Sequence, residues 1–388
     1  MHSTFQPTIW ALLTQAPGDN DQCLALLEAV DRPTEIKRLD WSVTDAEEER
    51  AITKELLSDS PEARQWRAML GLCPPWPRLV ICCGRRSDRV AFWIKEQSGG
   101  YTRIVSIGRP RKAVAAYDLV IALPQFSVPD RANVVKLPLP MMRQRSSAGD
   151  AHAHRASVPV PKPWFTILLG GEVKQFATSR RVLIEAARLA QMAAHHHDGS
   201  VVISTSRRTS PALLAAVEGV LERPYVYRWS GGTAENPYER LLRESAALFV
   251  TADSASMILD CCASGTPTYV IEYPERFELR ARLRRGMFRR VRGVIARFRH
   301  WGFQQTGDQL EQAQEWLHAR HVLRYPRDLR QFHASIYDMG LARPVSAYDP
   351  AILPRPRRPA NDLVKASGIQ AVAARCRALL RPPAIAAE

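Results

Sequence analysis

Val250-Thr-Ala-Asp-Ser-Ala-Ser-Met-Ile-Leu-Asp260, continued by Cys-Cys-Ala-Ser-Gly265 and Thr-Pro-Thr-Tyr-Val270, is a complete supersecondary unit in sequence. An apolar run, Leu248 to Thr251, reads as a strand. The small-residue turn Asp253 to Ser256 opens a helix that Gly265 ends, and Thr268 to Ile271 is the next strand. Small hydroxyl residues at a helix start leave room and donors for a diphosphate, whose charge the helix dipole favours. Asp260 follows Ser254 by six residues, on the same helix and within reach of a ribose whose diphosphate rests on the turn. An Asp-Ser helix cap followed by an unrelated acidic residue satisfies the same spacing.

The same alternation extends outward from this unit. Expected strands are Thr8 to Thr14, Thr34 to Leu39, Arg78 to Cys83, Thr102 to Ile107, Leu119 to Ala122 and Asn133 to Lys136 in the first half. In the second they are Trp164 to Leu169, Val201 to Thr205, Tyr225 to Trp229, Leu248 to Thr251 and Thr268 to Ile271. Continuous apolar runs suit parallel strands buried on both faces. Ser210-Pro211 and Asn236-Pro237 read as helix starts. The fold class is therefore α/β, with two doubly wound, Rossmann-like domains facing a cleft. The expected division is residues 1–142, a linker at 143–163, residues 164–345, and a Pro/Arg-rich tail with a C-terminal helix at 346–388.

Three further segments carry candidate chemistry. Thr14-Gln-Ala-Pro-Gly-Asp-Asn-Asp-Gln22 follows the first strand, with Gly18 in the turn and Asp19 and Asn20 as helix caps or ligand groups. The other glycines of a dinucleotide fingerprint are missing, which argues against NAD. Gly170-Gly171 ends a strand where backbone can approach a ligand, or simply turns the chain. Ser204-Thr-Ser-Arg-Arg-Thr209 ends the next strand with Arg207, Arg208 and Thr209, whose guanidinium and hydroxyl groups suit phosphate or solvent alike.

With 388 residues, 46% hydrophobic and 24% charged, the chain has the balance of a folded protein of about two domains. No apolar run approaches the ~20 residues of a spanning helix. No leader is legible in Met1 to Pro7, so the expected location is the cytoplasm, with peripheral attachment at the inner face of a membrane. Fifty-four Lys and Arg against 39 Asp and Glu give a net charge of +15, which points to acidic partners. Ten arginines against one glutamate fall within residues 276–300, with apolar residues at helical spacing; this reads as a surface helix or a seat for anionic lipid. No nucleic-acid-binding signature accompanies the charge. Seven cysteines without a CxxC pair read as reduced thiols, and three consecutive histidines, His195 to His197, cannot converge on one metal, so no metal is expected.

Residues 247 to 272 resemble the nucleotide-sugar segment of GT-B glycosyltransferases, and the layout of two α/β domains with a C-terminal helix is analogous to theirs. Residues 8 to 380 resemble the "elongated mitochondria" fission family, which has a plant fission factor and bacterial relatives. The residues that carry this are Pro17-Gly18-Asp19-Asn20 with Gln22, Gly84-Arg85-Arg86, Leu169-Gly170-Gly171, Ser206-Arg207-Arg208-Thr209, Asn236-Pro237-Tyr238, Thr251 to Met257 and Gly340-Leu-Ala-Arg-Pro344. Asp260 stands where the family usually has Glu. The resemblance implies a metal-independent glycosyltransferase using a nucleoside-diphosphate sugar as co-substrate, with no other cofactor, on a cell-envelope glycan or lipid. Its donor side would be Gly170, Gly171, Arg207, Arg208, Thr209, Asn236, Asp253, Ser254, Ser256 and Asp260. Its acceptor side would be Gly18, Asn20, Gln22, Arg85 and Arg86, with Asp19 as the base. The family equally implies a membrane-surface adaptor without catalysis, and the scaffold would also serve a nucleotide-sugar epimerase or hydrolase.

Overall fold

The computed structural model describes residues 9–41, 46–143, 157–173, 175–231, 236–276, 286, 290–291, 293–298, 300–302, 304–319, 325–356 and 361–381. They belong to two units, one of residues 1–143, 280–327 and 364–388, the other of residues 144–279 and 328–363. Linker residues 144–156 and most of the basic stretch, including Arg284, Arg285 and Arg289, lie outside the described residues.

The first unit runs β1 (Ile9–Leu13), α1 (Pro17–Val30), β2 (Thr34–Arg38), α2 (Ala46–Leu56), α3 (Pro61–Met69), β3 (Leu79–Cys83), α4 (Arg85–Gln97), β4 (Arg103–Ile107), β5 (Leu119–Ala122) and β6 (Val134–Lys136). All six strands are parallel, in the order β2-β1-β3-β4-β5-β6. Every residue of β1 and β3 is buried. Successive side chains point to opposite faces, so two cores form. Ile9, Leu13, Ile81 and Cys83 pack with Leu26 and Val30 of α1. Trp10, Leu12, Val80 and Cys82 pack on the other face with Val90 and Ile94 of α4. The adjacent cysteines 82 and 83 thus belong to different cores, and all seven cysteines are free thiols, only Cys73 being exposed.

Two later segments complete this unit. The C-terminal helix Ile369–Leu379 buries Ile369, Val372, Ala373 and Cys376 in the first core. Residues 280–327, which the sequence suggested for the second domain, group with the first. The reason is packing: Tyr325 is buried in the second core, and its hydroxyl accepts a hydrogen bond from the Val114 N–H at 3.2 Å.

The second unit contains β7 (Trp164–Leu169), α5 (Arg180–His196), β8 (Ser200–Thr205), α6 (Pro211–Glu218), β9 (Tyr225–Tyr227), α7 (Tyr238–Glu244), β10 (Ser245–Thr251), α8 (Ala255–Ser264), β11 (Thr268–Ile271), a helix Leu329–Asp338 and β12 (Arg343–Pro344). Its parallel sheet has the order β12-β11-β10-β7-β8-β9. Ser210 caps α6 by accepting from the Leu213 N–H, with Pro211 at the first helical position. The short β12 went unread in the sequence because two residues beginning at Arg343 carry no strand pattern.

In each sheet the chain starts near the middle, adds strands to one side and then to the other. The reversal falls between β1 and β3 in the first sheet and between β7 and β10 in the second. Loops leaving the carboxyl ends of such strand pairs diverge, which is where open α/β sheets bind ligands. Among the described residues, no helix is long and apolar enough to cross a membrane.

Candidate functional site

A cavity of about 230 Å³ opens at the carboxyl edge of the second sheet. Its floor is Leu168 of β7, one wall is Ser204 to Arg207 at the end of β8, and the opposite wall is Ser254, Ser256 and Met257 at the start of α8. Trp229, Asn236, Tyr238 and Asp260 complete it. Ser254 occupies the N-cap position of α8 but its side chain makes no capping bond; its hydroxyl lies 3.4 Å from that of Ser256. Both hydroxyls are thereby available to a guest at the positive end of a helix dipole. The Tyr238 hydroxyl donates to an Asp260 carboxylate oxygen at 3.2 Å. Burial and the neighbouring Asp260 charge push the Tyr238 phenol well above its usual range, so it stays a donor. Asn236 accepts from the Tyr238 N–H at 3.0 Å and fixes the start of α7.

Five predicted donor residues therefore line one cavity: Arg207, Asn236, Ser254, Ser256 and Asp260. The other five do not, and the structure gives each a different task. Asp253 turns inward: its carboxylate accepts from the Gly171 N–H at 2.9 Å, from the Thr251 hydroxyl at 2.6 Å and from the Arg208 guanidinium at 3.2 Å. Thr251 in turn accepts from the Gly170 N–H at 2.8 Å. Burial raises the Asp253 pKa, and these donors oppose that rise. Gly170 and Gly171 are glycines because of this strut: a Cβ at Gly170 would fall 2.2 Å from the Asp253 carboxylate, and one at Gly171 2.5 Å from the Arg208 carbonyl oxygen. The Thr209 hydroxyl reaches the carbonyls of Leu169 and Gly170 at 2.7 and 2.8 Å. Asp253 fills the gap at the sheet reversal, and the cavity opens beside it.

Sequence reasoning missed Trp229 and Tyr238. The sequence pattern carries the strand on to Trp229, but β9 stops at Tyr227, and the indole lines the cavity 42% exposed. The signal was a tryptophan in the polar run Arg228 to Gly231, where a buried strand end is out of place. The three histidines take separate partners: His195 lies 3.2 Å from Glu222, His196 bonds the Met192 carbonyl, and His197 stacks on Phe165. Among the described residues, no three His, Cys, Asp or Glu side chains cluster as for a metal ion.

On the first unit, the expected acceptor residues divide. Asn20 does not cap α1; its amide exchanges hydrogen bonds of 2.9 and 2.7 Å with the Thr14 backbone and fastens the helix to β1. Gln22 is buried and pairs with both backbone groups of Met141 at 2.8 Å. Arg86 donates to the Leu39 carbonyl at 2.6 Å and lies over the Trp41 ring. All three side chains bond backbone groups of the first unit, and Arg86 also meets aromatic surface. Gly18 and Asp19 lie in the first turn of α1, and Arg85 opens α4 and pairs with Glu49 at 2.7 Å. Asp19 reaches Gly84, where a Cβ would sit 2.8 Å from its carboxylate. Burial raises the Asp19 pKa against the pull of a Cys83 hydrogen bond, Arg111 and Arg327.

A family model described as Mitochondrial fission ELM1 matches residues 17–325, from the start of α1 to the Tyr325 that closes the first unit's core. The chain belongs to the mitochondrial fission ELM1 family. That match takes in both the Asp19 turn and the cavity from Ser204 to Asp260. The chain is 28% identical over 229 residues to the mitochondrial fission protein ELM1 of Arabidopsis thaliana, a match covering 50% of this chain and 51% of that protein. The chain thus spans about half the length of that relative. Among solved structures it is similar to a putative UDP-N-acetylglucosamine 2-epimerase from Listeria monocytogenes, with TM-score 0.41 and 12% identity over 68% of this chain and 78% of that one. It is also similar to a glycosyltransferase from Rickettsia africae, with TM-score 0.40 and 9% identity over 69% and 79% of the two chains.

Proposed function

We propose that this ELM1-family chain binds a nucleoside-diphosphate sugar in the second unit's cavity and acts as a GT-B-type glycosyltransferase on a cell-envelope glycan or lipid. The observation that carries the reading is the polarity of that cavity. Cation and helix-start hydroxyls, from Arg207, Ser254 and Ser256, line it together with an acceptor pair, Asp260 and its donor Tyr238. A diphosphate matches the first set, since its charge is met by a guanidinium and a helix N-terminus. A ribose matches the second, because a carboxylate accepts from sugar hydroxyls. The exposed Trp229 face supplies apolar area for a base. On departure of the sugar, Arg207 and the α8 dipole would stabilise the charge growing on the diphosphate.

The base in this reading is Asp19. Its raised pKa makes it a stronger proton acceptor than an ordinary carboxylate once ionised. Asp19→Asn is expected to keep donor affinity within a few-fold while slowing transfer about a hundredfold, the loss typical of a missing general base.

The deciding experiment is a thermal-shift panel of UDP-, GDP-, ADP- and CMP-sugars. A ligand that prefers the native state must raise the unfolding temperature. One nucleotide class should do so with Trp229, Arg207 and Asp260 intact and lose its effect in their variants. A panel without any shift would remove the donor site and leave the non-enzymatic adaptor.

A further inference from the structure

A phenylalanine at position 238 would fill the same space as Tyr238, and a nucleotide would still find Arg207, Ser254, Ser256 and Asp260 in the cavity. What the tyrosine adds is one hydroxyl, held by a helix that is fixed at both ends. The Tyr238 N–H donates to the Asn236 side-chain oxygen at 3.0 Å, which sets the first residue of α7 against the Pro237 turn. Behind it, Leu241 and Leu242 are fully buried. The Leu242 carbonyl accepts from the Thr266 hydroxyl, just past the end of α8, and the Leu241 carbonyl from the Ser245 hydroxyl at the start of β10, both at 2.6 Å. The ring therefore stands on an anchored element.

From that anchored ring the hydroxyl crosses to α8 and donates to one carboxylate oxygen of Asp260 at 3.2 Å. Both side chains line the cavity. An aspartate at the wall of an open cavity has several staggered rotamers, and its terminal torsion is broad. A donor from a second helix selects among them. An ionised carboxylate accepts at about four lone-pair positions, so one that holds a tyrosine hydroxyl keeps capacity for a guest.

We infer that Tyr238 is a positioning residue: by holding the Asp260 carboxylate in one orientation, it makes the cavity select nucleotides that carry a ribose diol over those that lack it. The inference rests on the nucleotide reading of this cavity and adds to it the source of its sugar selectivity. Adjacent ribose hydroxyls present two donors at a fixed spacing, so they gain from an acceptor whose plane is already set. A dideoxyribose has no such donors to offer.

The test is isothermal titration of the full chain with UDP, GDP, ADP and CMP, each beside its 2′,3′-dideoxy counterpart. The wild type should bind a ribonucleotide about tenfold or more tighter than its dideoxy form, the worth of a hydrogen bond to a charged group. In Tyr238→Phe that preference should shrink to about threefold or less, since an unheld carboxylate must be ordered by the guest. A merely structural role would weaken both forms alike and keep the ratio. In an Asp260→Ala background, adding Tyr238→Phe should leave the preference where Asp260→Ala put it, because the tyrosine then has nothing to hold. Circular dichroism checks the fold. Should Tyr238→Phe unfold, fluorotyrosine in place of Tyr238 keeps the question open: its fluorine resonance should move with the ribonucleotide and not with the dideoxy form, and equal movement with both overturns the role. A ratio that Tyr238→Phe leaves unchanged or enlarges overturns it as well, while nucleotide binding stands. A wild type that binds nucleotides without preferring ribose has the same consequence. If no nucleotide binds at all, the nucleotide reading itself fails and takes this role with it.

Discussion

Asp260 and Asp88 are both carboxylates that accept a tyrosine hydroxyl, but their surroundings give them opposite uses. Asp260 lines an open cavity beside Tyr238. Replacing it with Ala should weaken nucleotide binding by about 1–3 kcal/mol, the worth of hydrogen bonds to a charged acceptor, with little loss of folding. Titration calorimetry checks this, and unchanged affinity would detach Asp260 from the ribose. Asp88 is sealed in, and burial raises its pKa from 3.8 to about 6 despite the Tyr117 hydrogen bond. Between those values the native state holds a proton that the unfolded chain has released, so stability falls as pH rises through the window. At about 1.4 kcal/mol per pH unit the loss is about 3 kcal/mol by pH 7. Urea unfolding at pH 4 to 7 should show this slope in the wild type and lose it in Asp88→Asn; parallel curves would contradict the assignment.

The strand-turn-helix elements around Gly170 and Asp253 form one stapled corner. Thr251 and Asp253 on the β10 turn take the amides of the β7 turn, and the two glycines exist to let the turns meet. Gly170→Ala places a methyl group into the Asp253 carboxylate, where no flexible neighbour yields. It should cost about 1–3 kcal/mol of stability, the usual range for overpacking a buried site. Any loss of nucleotide binding should follow only from the movement of α8. A variant as stable as the wild type, by denaturant midpoint, would show that the corner is looser than its distances state. The helix Leu329–Asp338 buttresses the same corner: His333 bonds the Ala252 carbonyl at 3.0 Å and stacks on Phe176. Its pKa falls to about 4 through burial, so it does so as the neutral ring.

Taken whole, the chain carries +15 and displays Trp301 and Trp316 on its surface, 62% and 54% exposed. Exposed amphipathic aromatics on a basic chain suit the interface of an anionic bilayer, where each basic residue contributes about 1 kcal/mol near the surface. Co-sedimentation with anionic vesicles is expected at low salt, should fade as salt screens the charges, and should be abolished by changing Arg284, Arg285, Arg289 and Arg290 to Gln. Equal binding to neutral vesicles would rule out the electrostatic attachment.

The strands were readable from sequence because the periodicity of burial is local. Ile9-Trp-Ala-Leu-Leu13 is apolar throughout and Trp164 to Leu169 is apolar but for Thr166, the pattern of strands covered on both faces. The helix start at Ser254 and the place of Asp260 on the same helix were equally legible, since their spacing is covalent. What the tertiary structure alone decided is which side chains turn toward a cavity and which toward their own backbone. Asp253 and Ser254 are neighbours in sequence, yet one is a buried strut and the other lines the opening. Gln22 and Arg86 looked like ligand groups until Met141 and Leu39, distant in sequence, claimed them. Trp229 became a cavity wall only because β9 ends two residues before it. A polar side chain goes to whichever partner best repays its desolvation, and in a folded chain that partner is usually far away in sequence.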